Sequence, residues 1–322
     1  MIPCFVKTAD NIIFFVFGII GDKYVCIPKK IDDYKGNDYH QWYKEYYVKL
    51  LSKYYHYTDA FACKLYLVST QDVVDIYDPL EYVLSKKYLL EDQSFYVERI
   101  INSICDFFGI SLRDIGIEGS HVLNCSTKTS DIDLFVYGFD NSKIIQNRFL
   151  SFSSYPSISL FNQQQILEYC QNRINCGFGY DLESVIAQFK RRYYGFIDNQ
   201  QFSIVCVPKM NGEGFINLKR NIVYVGFIKK KMLVIDDTYS SIIPAIYKCV
   251  DCDGNLYTIE MYNHYGINQA RNGDYLYIQA NEYYNVSSLE RLIIYGFWNK
   301  NERFHVLGGN DEKQRVFHKT IT

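Results

Sequence analysis

The sequence has little proline, almost no net charge and no long apolar run, and each shortage excludes something. Proline numbers only 6 in 322 residues while tyrosine reaches 31, a pairing that reads as compositional bias and not as a site. The formal net charge is −2, so there is no global electrostatic footprint for nucleic acid, only room for a local basic face. The longest early apolar run, "IIFFVFGII", covers residues 12–20. That is too short to cross a bilayer as a helix, which takes about 20 residues. It lacks a charged leader and a small-residue cleavage site, so it is not a secretion signal. It reads as a buried strand, and the chain as soluble and cytoplasmic with no membrane partner. The ten cysteines are scattered from Cys4 to Cys252, and the expectation is reduced thiols in an intracellular protein.

What is present is a globular composition, 48% apolar and 22% charged, in a chain long enough for two or three domains. Residues 1–92 read as a small α/β domain. Strands lie around the turn "GDK", a helix over 41–55, a strand over 61–68 and a helix over 78–90. Asp78 is the N-cap of that last helix, with Pro79 in its first turn. Residues 93–210 open on a helix with Val97, Ile100, Ile101, Ile104, Cys105 and Phe108 at helical spacing and Gly109 at its C-terminal cap. The strand "DIDLFVYG", the helical patterns "QQQILEYCQNRI" and "DLESVIAQFKRRYY", and the strand "FSIVCVP" follow. From 211 to 322, short strands alternate with Asp-Gly, Asn-Gly and Gly-Gly turns, which predicts a β-rich barrel or sandwich.

The chemistry concentrates in "EGSHVLNCSTKTSDIDLFVYG", residues 118–138. On a strand alternate side chains share a face, so Asp131 and Asp133 point one way and Ile132, Leu134 and Val136 the other. The two carboxylates then lie roughly 7 Å apart. Like charges held this close repel unless something neutralises them. Mg²⁺ (or Mn²⁺) suits a pair of carboxylates completed by water and phosphate oxygens. A solvated edge-strand pair is the competing explanation. The upstream Gly119 and Ser120 tilt the balance, because glycine lets the backbone approach a ligand and successive amides plus a hydroxyl hold phosphate oxygens.

Apolar residues, Gly-Ser, a spacer and Asp-x-Asp between apolar residues, with Ser130 before the first aspartate, resemble the nucleotidyltransferase superfamily that includes DNA polymerase beta. "IDDTYSSIIPAIYKC" and "RLIIYGF" extend the likeness to a group of archaeal predicted nucleotidyltransferases with an α/β segment in front and a β-rich segment behind. The resemblance implies an α/β fold with a central nucleotidyltransferase-type mixed sheet. It implies an enzyme that moves a nucleoside monophosphate from an NTP to an RNA end, a protein hydroxyl or a small molecule, with release of pyrophosphate. Asp131 and Asp133 would be catalytic and hold the metal, and Gly119, Ser120 and Ser130 would bind the nucleotide. Members of the superfamily carry a third acid on a later strand. The fitting strand, "FSIVCVP", has none, and Gln201 stands just before it. Either Asp198 serves, or two acids suffice, or the protein is a weakly active or inactive nucleotide- or RNA-binding regulator.

Other features carry less. Lys190, Arg191 and Arg192 suit a triphosphate or RNA and equally a solvated helix end. His121 follows the Gly-Ser pair within phosphate reach, though a loop histidine is more often solvated. Asp236 and Asp237 are adjacent and face opposite ways on a strand. Cys249 and Cys252 form a single C-x-x-C with no second ligand pair nearby, so free thiols are favoured over zinc.

Overall fold

The computed structural model describes residues 3–31, 45–90, 93–175, 182–210, 218–262, 267–295 and 303–308. The first sheet holds β1 (Cys4–Thr8), β2 (Ile12–Ile20), β3 (Lys23–Ile31), β4 (Tyr55–Thr58), β5 (Cys63–Ser69) and β6 (Val73–Tyr77) in the order β4-β5-β3-β2-β1-β6. "IIFFVFGII" is therefore a strand, paired on both edges. Helix α1 spans Glu45–Ser52, and Tyr55 already belongs to β4. The helix expected over 41–55 thus ends early, and its first residues lie outside the described set. The β-branched and aromatic residues of β4 and β6 fit a pleated surface better than a helix. Helix α2 (Pro79–Leu84) starts as expected, with the Asp78 carboxylate accepting from the amides of Leu80 and Glu81. It stops far short of residue 90, where Lys86 takes φ +55°.

The central sheet is mixed. Helix α3 (Ser94–Phe108) leads into it and ends on Gly109 at φ +72°, a left-handed cap that glycine adopts without strain. The strands are β7 (Ile115–Ile117), β8 (Ile132–Tyr137), β9 (Ile158–Leu160), β10 (Tyr193–Ile197) and β11 (Gln200–Val207), in the order β7-β8-β11-β10-β9. Strand β8 runs parallel to β11, with Asp133 level with Ser203. Helix α4 (Phe139–Arg148) follows β8, and α5 (Gln163–Asn175) and α6 (Leu182–Phe189) precede β10. The helix expected to run through Tyr194 ends at Phe189. Tyr193 is instead buried in β10, because "YYGFI" satisfies a strand period as well as a helical one. Leu167 of α5, one residue from the partly buried Ile166, is 46% exposed.

The third sheet closes on itself. Strands β12 (Ile222–Asp236), β13 (Ala245–Asp251), β14 (Leu256–Met261), β15 (Tyr275–Asn285) and β16 (Glu290–Tyr295) form a five-stranded barrel, sealed by β12 pairing with β15. Strand β17 (Arg303–Gly308) adds to β15 outside the ring. Where short strands are expected, β12 runs unbroken for 15 residues, bent by a register shift between Tyr224 and Gly226. Such a bulge lets one strand turn a barrel corner without breaking.

The barrel and the first sheet each have a core of their own, yet both also contribute to that of the central sheet. Phe5 and Ile13 of the first sheet, Leu80 of α2 and Ile242 and Ile267 beside the barrel join the core of the central sheet. At Gly116 a Cβ would meet Pro79 at 3.0 Å, so α2 lies almost on the backbone of β7. Phe15 of β2 stacks on Phe135 of β8 with centroids 6.1 Å apart. The first sheet thus leans on the very face of β8 that carries the aspartates. Among the described residues, no helix is long and apolar enough to cross a membrane.

Candidate functional site

The site grows from one row of side chains across the central sheet. The Glu118 amide donates to the Asp133 carbonyl at 2.7 Å, extending the antiparallel β7–β8 ladder by one residue. Glu118 is therefore the cross-strand neighbour of Asp133. On the other side, Ser203 pairs with Asp133 and its Oγ donates to Asp133 Oδ1 at 2.5 Å. Cross-strand neighbours have Cβ atoms about 5 Å apart, so Glu118, Asp133 and Ser203 form a continuous polar row. Asp131 stands one pleat along, exposed, with Gln201 level with it just before the Phe202–Ile132 pair.

The chain's entry to the strand is fixed by side-chain amides. Ser130 gives its carbonyl to the Nε2 atoms of Gln93 at 3.0 Å and of Gln200 at 2.6 Å. Its hydroxyl accepts from the Thr127 amide at 2.9 Å. Ser130 thus closes a turn and aims Asp131; its hydroxyl is committed to its own loop. Gly119 has φ +72°, and a Cβ there would sit 3.3 Å from Asp133 Oδ2. Glycine is what allows this turn to close over the aspartate. The Ser120 carbonyl then accepts from Cys125 at 2.8 Å and the Gly119 carbonyl from Leu123 at 3.3 Å. His121 is fully buried, not solvated, and faces the interior.

The electrostatics are those of an acid cluster short of cations. Burial raises the Asp133 carboxyl to about 7, aided by the charges of Asp131 and Glu118 and opposed by Ser203 and Lys29. Burial likewise raises Glu118, with Lys29 pulling it down and Asp131 pushing it up. Lys29 Nζ lies 3.6 Å from Glu118 Oε1. No other ion pair reaches Glu118, Asp131 or Asp133 among the described residues. Beyond Ser203 a small cleft opens, lined by Arg192, Tyr194, Val205 and Ile267.

Asp198 does not join this cluster. Asp198 and Asn199, at φ +46° and +72°, are the two-residue turn between Ile197 and Gln200 of the β10–β11 hairpin. Asp and Asn tolerate the left-handed conformation that such a turn demands. The Asp198 carboxylate pairs with Arg99 of α3, and Arg99 also donates to Ser157 Oγ at 2.5 Å. Lys190 is exposed beyond α6, next to Phe189, which packs on Phe161, Tyr169 and Tyr194. Cys249 points into the barrel core while Cys252 is exposed. Asp236 caps the Thr238 amide at 2.8 Å and Asp237 meets Arg271 at 3.4 Å.

Three residues of the site escaped the sequence reading: Glu118, Ser203 and Lys29. Glu118 had a signal, since it immediately precedes Gly119 and alternates with Gly116 on one face of β7. The other two depend on pairings between distant segments.

Hard oxygen donors on one face suit Mg²⁺ or Mn²⁺ rather than a softer metal. Among the described residues no three His, Cys, Asp or Glu side chains converge on one point. A divalent ion would take its remaining ligands from water and substrate, as Mg²⁺ habitually does. No protein-family model, curated protein or solved structure matches this chain, and the functional reading rests on the residues and geometry above.

Proposed function

We propose that this chain is a metal-dependent nucleotidyltransferase that binds an NTP at the Asp131–Asp133 face. It passes the nucleoside monophosphate to an acceptor hydroxyl on an RNA end, a protein or a small molecule. The acceptor oxygen forms a bond to the α-phosphorus, the bond from that phosphorus to the bridging oxygen breaks, and pyrophosphate leaves with its electron pair. The observation that carries the reading is the approach of the Gly119 turn to Asp133, at 3.3 Å from a would-be Cβ. The glycine turn, read as a phosphate cradle, thus closes over one of the two carboxylates of the strand face.

Asp131 and Asp133 are the residues that would hold Mg²⁺ or Mn²⁺, which when bound neutralises charge developing on the phosphoryl oxygens. The backbone of the Gly119 turn and the Ser120 hydroxyl would supply donors for the β- and γ-phosphates. Ser203 orients Asp133 through its 2.5 Å hydrogen bond. Gln93 and Gln200 hold the Ser130 carbonyl and so set the direction in which Asp131 leaves the strand. Glu118, beside Asp133, would take the proton of the acceptor hydroxyl.

The test is thermal stability with Mg²⁺ or Mn²⁺ and each NTP, alongside pyrophosphate release. Ligand at a hundred times its Kd stabilises by about 2.7 kcal/mol. The double variant Asp131→Asn, Asp133→Asn is expected to fold and to lose that response. An unchanged response in the double variant overturns the site.

A second reading, a nucleotide-binding regulator without turnover, is favoured by one observation. Ser203, not a carboxylate, occupies the later-strand position beside Asp133. Metal-nucleotide stabilisation without pyrophosphate release, with any acceptor fraction, would select it.

A further inference from the structure

The N-terminal sheet reaches the acid row through one side chain. In the β2–β3 pairing, Phe14 stands opposite Pro28 and Ile13 opposite Lys30. Lys29 is the extra residue of that bulge. Bulges re-aim side chains and gather next to functional sites. This one sends Lys29 Nζ to 5.7 Å above the Phe15 ring and 3.6 Å from Glu118 Oε1. Phe15 is itself stacked on Phe135, two residues from Asp133 on the same face. The Lys29 charge acts on Asp133 as well as on Glu118.

The contact is loose. At 3.6 Å it lies beyond a normal N–H···O hydrogen bond, and the Lys29 side chain remains 35% exposed. In the barrel, Lys230 instead meets Asp251 at 2.5 Å and Tyr257 Oη at 2.8 Å. A lysine that meets its carboxylate across 3.6 Å, on a four-carbon stem with open solvent beside it, can leave at little cost.

We propose that Lys29 is a resident counter-cation of the site: it balances Glu118 and Asp133 in the metal-free protein and moves off when a divalent ion binds at Asp131 and Asp133. The N-terminal sheet then sets the metal affinity of the central one. This inference rests on the metal site proposed above.

Mn²⁺ alone is the probe, titrated by calorimetry or by loss of its free-ion paramagnetic resonance signal. The proteins are the full-length parent, Lys29→Gln, Lys29→Arg and the Asp131→Asn, Asp133→Asn variant. Removing a like charge a few ångströms from a divalent ion near the surface corresponds to roughly ten-fold in affinity. Lys29→Gln is therefore expected to bind Mn²⁺ about ten-fold more tightly than the parent. Lys29→Arg should stay near the parent, which separates charge from side-chain shape. Unchanged or weaker Mn²⁺ binding by Lys29→Gln overturns the proposal. If the parent binds Mn²⁺ no better than the double aspartate variant, the metal site itself fails, and the counter-cation proposal with it.

Discussion

In the barrel, Asp251, Glu260 and Glu282 are 7%, 5% and 5% exposed, and each meets a cation at 2.5 Å: Lys230, Arg220 and Arg291. On the central sheet Glu118 is as deeply buried, at 6%, yet its lysine stands 3.6 Å away. Asp131 and Asp133 have no ion-pair partner among the described residues. Burying a carboxylate is costly unless it is paired and hydrogen-bonded. Where a fold leaves the cost standing while satisfying its other acids, the uncompensated cluster marks a functional-site candidate. Burial would raise Asp251, but hydrogen bonds from Lys230, Asn255 and the Asp253 amide hold it well below the ordinary range. Asp133 goes the other way.

The contrast predicts opposite responses to mutation. The largest effect should come from Arg220, which forms two hydrogen bonds to Glu260, at 2.5 and 2.9 Å, and a third to the Ala60 carbonyl at 2.9 Å. That pair ties the barrel to the N-terminal sheet. Arg220→Ala leaves Glu260 buried without its cation, with only the Tyr262 hydroxyl at 3.0 Å still donating to it, and is expected to cost about 3–5 kcal/mol in urea unfolding. Lys29→Ala, removing the corresponding cation of the central sheet, should cost less than about 1 kcal/mol. Equal losses would erase the distinction between the two regions.

Next in size is the pH response of Asp133. Its carboxyl is raised from 3.8 to about 7 in the folded protein. Below about pH 4 it is protonated in both states. As pH rises toward 7 the unfolded chain ionises first, so stability falls across this window and is lowest above it. The shift alone bounds the loss at roughly 4 kcal/mol, and solvent reaching the incompletely buried side chain brings the expectation to about 1–2 kcal/mol. Metal-free Asp133→Asn should therefore be more stable than the parent at pH 8 and should lose the slope between pH 4 and 7. Asp251 has the opposite sign: its contribution is present above about pH 4 and is lost as the solution is made more acidic. A parent more stable at pH 8 than at pH 5 without metal, with Asp133→Asn less stable than the parent, would mean that Asp133 is paired as the barrel acids are.

How much of this was legible depended on the range of the interactions. The caps at Asp78 and Gly109, the burial of Ile100 and Ile104, and the shared face of Asp131 and Asp133 follow from local geometry, and the residues state them directly. The barrel could be anticipated from turn residues and alternation, though not its closure, which depends on β12 meeting β15 some fifty residues later in the chain. The residues that complete the site are of the non-local kind. Ser203 becomes the neighbour of Asp133 only through a parallel pairing of strands seventy residues apart. Lys29 arrives from another sheet. The end of "DLESVIAQFKRRYY" is ambiguous in sequence because aromatic residues beside arginines fit both periods. Burial of Tyr193 and pairing of Gly195 with Phe202 decided for the strand.

The smallest expected effect concerns Asp198, and it bears on which region that acid belongs to. The Asp198–Arg99 pair has side chains 30% and 38% exposed, and exposed pairs contribute about 0–1 kcal/mol. Asp198→Asn keeps a residue that tolerates φ +46° and removes only the charge, so it should cost less than about 1 kcal/mol. Asp198→Ala also removes that tolerance and adds roughly 1–2 kcal/mol of backbone strain. Neither substitution is expected to change the stabilisation by Mg²⁺ and NTP, because the carboxylate is held by Arg99 at the hairpin tip and shares no partner with Asp133. The measurement is the Mg-NTP thermal shift and the pyrophosphate release rate of Asp198→Asn beside the parent. A folded Asp198→Asn whose turnover falls about 10²-fold, the scale of a lost general base, would return Asp198 to the acid cluster and take the proton-accepting role from Glu118.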